Sequence, residues 1–209
     1  MIAKNSYELG WIMKIADQLG KRGDPKIIEK VIYAFTLLEQ LKIAGLDLIF
    51  KGGTSLLLHC DEEPRRFSID IDIITIMPKE DLPDILDKVI KQGVFTRWKD
   101  DNDRKNAQNV PIAHYKFYFP SRIGNRSGEE PILLDVLFSS NPYPQLTERR
   151  VVHPWLITRG DHITVQMPTL ESIMGDKLSA FAPNTTGILY EKGRPVEIIK
   201  QLYDLLITT

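Results

Sequence analysis

The chain has 209 residues, 43% of them hydrophobic, enough for one domain of ordinary size or one domain with a small helical appendage. Its 27 basic and 28 acidic residues leave a net charge of −1, so bulk charge argues neither for nor against a nucleic-acid partner, which would need a local basic patch. A single cysteine, Cys60, excludes an internal disulfide. No apolar run approaches the ~20 residues of a membrane span, and Met1-Ile2-Ala3-Lys4-Asn5 has no signal-peptide core, so a soluble protein of the reducing cytoplasm is expected.

From the N-terminus, Leu9, Ile12, Met13, Ala16 and Leu19 recur at helical spacing and predict a helix from Tyr7 to Leu19, stopped at Gly20. Asp24-Pro25 reads as an N-cap with proline at the first helical position. The second helix then runs to about Ala44 with Ile28, Val31, Ile32, Phe35, Leu38 and Leu41 as its core face. Leu48 to Lys51 is a short strand that delivers the chain to Gly52-Gly53, and Thr54 to His59 opens a helix. Cys60 ends an apolar run and reads as a small buried residue rather than a reactive thiol. Ile69 to Ile76 is the second strand. Pro78 to Gly93 is a helix that buries Leu82, Ile85, Leu86, Val89 and Ile90. Val94 to Trp98 and Ala113 to Phe119 alternate as strands, with Lys99 to Asn109 and Ser121 to Glu130 as loops. Ile132 to Phe138 is a third strongly apolar strand with one acid, Asp135, at its centre. Short strands are expected around Val151-Val152 and Ile163 to Val165, and helices over Pro168 to Phe181 and Pro195 to Ile207. This order predicts an α+β domain: a mixed β-sheet flanked by helices, with a helical C-terminal segment. The last helix meets no stop signal after Leu206, so the chain is expected to be cut inside a longer protein.

Two clusters carry chemistry. Residues i and i+2 of a strand share a face, so Asp70 and Asp72 point the same way, their Cα atoms roughly 6.6 Å apart. Two such carboxylates can lean toward a common hard cation, and Mg²⁺ completes its shell with water and phosphate. Alone, the pair fits an ordinary solvated strand face as well. Upstream, Gly52-Gly53 lets backbone approach a phosphate closely, and Thr54 and Ser55 open a helix whose free amides attract anions. Alone, this too fits a plain strand-to-helix turn. Neither a Walker A loop nor a Rossmann fingerprint occurs. Asp135, set among isoleucine, leucine and valine, is costly to bury unless paired or metal-bound. It is either half of a buried salt bridge or a third carboxylate able to accept the proton of an attacking hydroxyl.

Gly52-Gly53-Thr54-Ser55-Leu56 followed by Arg66-Phe67-Ser68-Ile69-Asp70-Ile71-Asp72 resembles the minimal nucleotidyltransferase fold. More narrowly, it resembles the AbiEii/AbiGii-type toxins of abortive-infection systems, with their GGT[AS]L turn and R-x-S-x-D-[IL]-D segment. Gly175 to Asn184 resembles that family's lysine-bearing helix, and Ile199 to Leu205 its closing helix. The resemblance implies that Gly52, Gly53, Thr54 and Ser55 hold a triphosphate and that Asp70 and Asp72 bind Mg²⁺ or Mn²⁺, with Asp135 as third carboxylate. It also implies that Lys177 reaches the phosphates, that Asp204 holds Lys177 or the nucleotide, and that Arg66 and Ser68 line the pocket. Arg66 and Lys177 also fit solvated charges. A nucleotidyltransferase core over 1–166 and the start of a helical region over 167–209 follow from the same likeness.

The implied activity is transfer of a nucleoside monophosphate from an NTP to an RNA such as the tRNA 3′ end, or to a protein, by a phage-defence toxin with a cognate antitoxin. A non-catalytic nucleotide-binding or interaction module is the second reading. A glycosyltransferase is the third, disfavoured because a nucleotide sugar needs no triphosphate cradle. His59, His114, His153 and His162 are scattered and read as structural or surface residues. Trp11, Trp98 and Trp155 read as core anchors. The basic residues around Arg97 to Lys99, Arg104-Lys105 and Arg122 to Arg126 read as solvated loops interspersed with acids.

Overall fold

The computed structural model describes residues 1–59, 67–102, 111–123, 128–182, 187–189, 193 and 195–208. A short 3₁₀ turn leads into α1 (Leu9–Leu19) and α2 (Pro25–Ile43), followed by β1 (Ile49–Lys51), α3 (Gly52–His59) and β2 (Ile71–Thr75). Then come α4 (Leu82–Lys91), β3 (Arg97–Asp100), β4 (Ile112–Pro120), β5 (Glu129–Phe138), β6 (Leu146–Arg150), β7 (Thr164–Pro168), α5 (Leu170–Ser179) and α6 (Pro195–Thr208). The strands form one sheet in the order β3-β4-β5-β2-β1-β7-β6. The β2–β5 and β1–β7 pairs are parallel and the rest antiparallel. The α+β class and the mixed sheet expected from the sequence are therefore present.

The core lies between the sheet and α2. Alternation along β4 buries Ala113, Tyr115, Phe117 and Phe119, and along β5 it buries Ile132, Leu134 and Val136. Helix α2 starts as predicted: Asp24 accepts the Lys26 backbone N–H at 2.9 Å, with Pro25 at the first position. It packs against α1, α4, β2 and β5. Tyr33 stacks between Tyr7 and Phe119, with ring centroids 4.9 and 3.8 Å away.

Three sequence expectations are corrected here. Helix α2 is buried on nearly every side, Glu29 and Glu39 included, rather than along one stripe. Both acids are satisfied as acceptors, as burial requires. Glu29 receives the Ser121 hydroxyl and the Arg122 N–H at 2.7 and 2.6 Å, and Glu39 receives the Ile2 N–H at 3.0 and 2.8 Å. The strand expected around Val151 lies earlier, at Leu146–Arg150, paired to β7 at the sheet edge. An edge strand needs no apolar alternation, so Thr147 to Arg150 gave no signal. Finally, polar residues assigned to loops end β3 and open β5, because the β4–β5 ladder extends to Pro120 opposite Glu129.

Candidate active site

The ladder registers place a row of charged side chains across the middle of the sheet. Lys51 is paired with Asp72, Asp72 with Asp135, and Asp135 with His114. Cross-strand partners share a face, so the row lies opposite the helix-packed side that holds Ile71 and Ile73. Asp70 immediately precedes β2 rather than lying inside it. Its backbone carbonyl accepts the Thr54 hydroxyl at 2.6 Å, which fixes the entry to the strand against α3.

Next to this row opens a cleft of about 480 Å³, within the usual range of ligand pockets. One wall carries Lys51, Gly52, Gly53, Ser68, Asp70 and Asp72. The other carries Tyr143 with residues of α5 and α6, among them Asp176, Lys177 and Lys200. Gly52 has a φ of +82°, and a Cβ placed there would lie 2.0 Å from Asp72 Oδ2, so the Asp72 carboxylate rests against the glycine backbone. Burial pushes the Asp72 carboxyl up to about 6; Lys51 opposes that shift, the charges of Asp135 and Asp70 reinforce it, and Lys177 opposes it again.

On the far wall, Lys177 Nζ sits 2.8 Å from Asp204 Oδ2, and Asp204 is buried. The Tyr143 hydroxyl donates to Asp176 Oδ2 at 2.5 Å. Burial raises the Tyr143 phenol, and the Asp176 charge raises it further.

The structure thus gathers Gly52, Gly53, Ser68, Asp70, Asp72 and Lys177 around one cleft. Asp204 stands behind Lys177, and Asp135 beside Asp72. Thr54 and Ser55 are fully buried and are not among the residues lining the cleft; the Ser55 hydroxyl donates to Gly52 O at 2.7 Å. Arg66 and Cys60 lie outside the described residues, as do Arg104, Lys105 and Arg126. The sequence assigns no site role to Lys51, Tyr143, Asp176 or Lys200, and His114 reads there as a structural or surface residue. His114 becomes visible only once the β4–β5 register is known, because that register sets it against Asp135, Nδ1 to Oδ1 at 2.7 Å.

Among the described residues, no three side chains of His, Cys, Asp or Glu converge as a ready-made metal cage. Mg²⁺ demands less, being held by one or two carboxylates plus water and substrate phosphates. Asp70 and Asp72 in one cleft meet that demand. Burial raises Asp72 first, and the charges of Asp135 and Asp70 that add to it are what a dication would offset.

The sheet order, the glycine turn and the paired aspartates define a nucleotidyltransferase-like domain. Solved structures of the same shape include JHP933 from Helicobacter pylori, with a TM-score of 0.51 and 15% identity, covering 85% of this chain. Another is an antigenic nucleotidyltransferase-like protein from Paracoccidioides brasiliensis, with a TM-score of 0.53 and 12% identity, covering 86% of this chain and 75% of that one. At such identities the likeness is one of fold, and the chain spans 65% of the length of the Helicobacter protein. No curated protein matches the sequence. The family is fixed by sequence: residues 36–207 match the model for "Nucleotidyl transferase AbiEii toxin, Type IV TA system", and the chain belongs to that family. No described helix is long and apolar enough to cross a membrane.

Proposed function

We propose that this chain transfers a nucleoside monophosphate from an NTP to a hydroxyl acceptor, an RNA such as the tRNA 3′ end or a protein, and that it acts as the toxin of a pair with a cognate antitoxin. The observation that carries this reading is the single cleft shared by Gly52, Gly53, Asp70, Asp72 and Lys177. The triphosphate lies along the Gly52-Gly53 backbone, where the free amides at the start of α3 face it. Lys177, held from behind by Asp204, stabilises charge on the departing pyrophosphate. Thr54 and Ser55 keep the turn in shape through their bonds to Asp70 O and Gly52 O. Mg²⁺ or Mn²⁺ held by Asp70 and Asp72, with Asp135 as third carboxylate, would neutralise the phosphates and favour attack at the α-phosphorus. Asp135 would accept the proton of the incoming hydroxyl.

Incubation with Mg²⁺, each labelled NTP in turn and total RNA or cell extract is expected to move label to an acceptor. Asp70→Ala is expected to lower that transfer by on the order of 10²-fold or more, the several kcal/mol a misplaced metal charge represents. Full transfer by Asp70→Ala would refute the site. NTP binding without transfer would leave a nucleotide-binding module.

A further inference from the structure

His114 is the one imidazole in the charged row. Its Nδ1 lies 2.7 Å from Asp135 Oδ1, and an ionised carboxylate only accepts, so Nδ1–H is the donor. The histidine is itself fixed on both sides of its backbone. Its N–H donates to Asn102 Oδ1 at 2.8 Å, and its carbonyl accepts the Asp101 N–H at 2.9 Å. Lys116, two residues further along β4, pairs with Asp101 at 2.7 Å and ties the same turn to the strand. The Asp135 side chain remains 37% exposed, so the imidazole steers the carboxylate without covering it.

We infer that His114 is a positioning residue for the metal site: its ring orients the Asp135 carboxylate toward the cation held beside Asp72. The inference rests on the reading of Asp135 given above. Partners that orient ligating carboxylates in this way typically contribute 10- to 100-fold to metal affinity. An ordinary exposed ion pair would contribute little to stability.

The test is a Mn²⁺ titration of the whole chain, followed by electron paramagnetic resonance, with Mn²⁺ alone as probe. His114→Ala is expected to weaken Mn²⁺ binding about tenfold. His114→Asn places an amide donor where Nδ1 stood and is expected to recover most of that loss. In an Asp135→Ala background, His114→Ala is expected to change nothing, since the histidine acts only through that carboxylate. Unchanged binding in His114→Ala, or equal losses in both backgrounds, overturns the inference and leaves the reading of Asp70 and Asp72 standing. Failure of the unaltered chain to bind Mn²⁺ overturns the metal reading and the inference with it. With substrate, the same variant is expected to lower kcat while leaving the KM for NTP within about twofold. A proportionate rise in KM would instead assign His114 to nucleotide binding.

Discussion

Gly52 sits with φ at +82°, and the Asp72 carboxylate occupies the space that a Cβ would fill. In the sequence the Gly-Gly pair reads as room for a phosphate; in the fold the missing Cβ of Gly52 is also required by the protein's own Asp72 carboxylate. Gly52→Ala is therefore expected to lower stability by about 1–3 kcal/mol through backbone strain alone. It should also push the Asp72 carboxylate out of place, so nucleotidyl transfer should fall by on the order of 10²-fold. A thermal melt and the label-transfer assay check the two halves separately; a full-activity variant with a wild-type melt would refute the contact. Asp135 shows the opposite limit. Its apolar neighbours in sequence suggested deep burial, but those at odd spacing face the other side of β5, and the carboxylate keeps a solvent edge with His114 as partner.

At the scale of elements, Lys177 and Asp204 were each legible as special residues on separate helices. Their meeting is one of the two roles the family resemblance implies for Asp204, the other being contact with the nucleotide; residue spacing alone does not supply it, because it depends on how α5 and α6 pack. The ion pair is buried at the interface of those helices, Asp204 almost completely. Removing one partner of such a pair strands a charge, so Asp204→Ala is expected to cost about 3 kcal/mol. Replacing both, as Lys177→Met with Asp204→Leu, should restore most of that stability while transfer is lost, because the cation proposed to meet the phosphates is gone. Urea denaturation and label transfer on the two variants distinguish a structural pair from one that also serves the nucleotide. If the double variant transfers normally, Lys177 has no part in the chemistry.

Across the whole molecule, the elements with strong periodicity were read nearly to their ends, and polar segments at the sheet edge were not. His153, read as structural or surface, is buried: it accepts the Trp155 N–H at 3.2 Å and packs edge-on to the Trp155 ring. Burial lowers its pKa from 6.5 to about 4, so the folded protein keeps it neutral where the unfolded chain takes up a proton. Its contribution to stability is therefore intact above 6.5 and is lost as pH falls toward 4. Asp72 acts in the other direction, since its folded carboxyl binds a proton near 6 and its unfolded one near 3.8. The histidine is isolated by difference: moving from pH 7 to pH 5 should cost the wild type about 2 kcal/mol more than His153→Asn. Urea midpoints at both pH values measure this, and parallel shifts in the two proteins would contradict it.

The family match opens at residue 36, halfway along the helix that the core closes around. Ile28, Val31, Ile32 and Phe35 are all fully buried and all precede it. Their duty is to occupy space, and many apolar combinations of similar volume satisfy that duty. The turn and the aspartates answer to a particular geometry and leave a recurring pattern of letters. The family pattern therefore runs over residues 36–207, while the first half of α2 serves the fold by filling space.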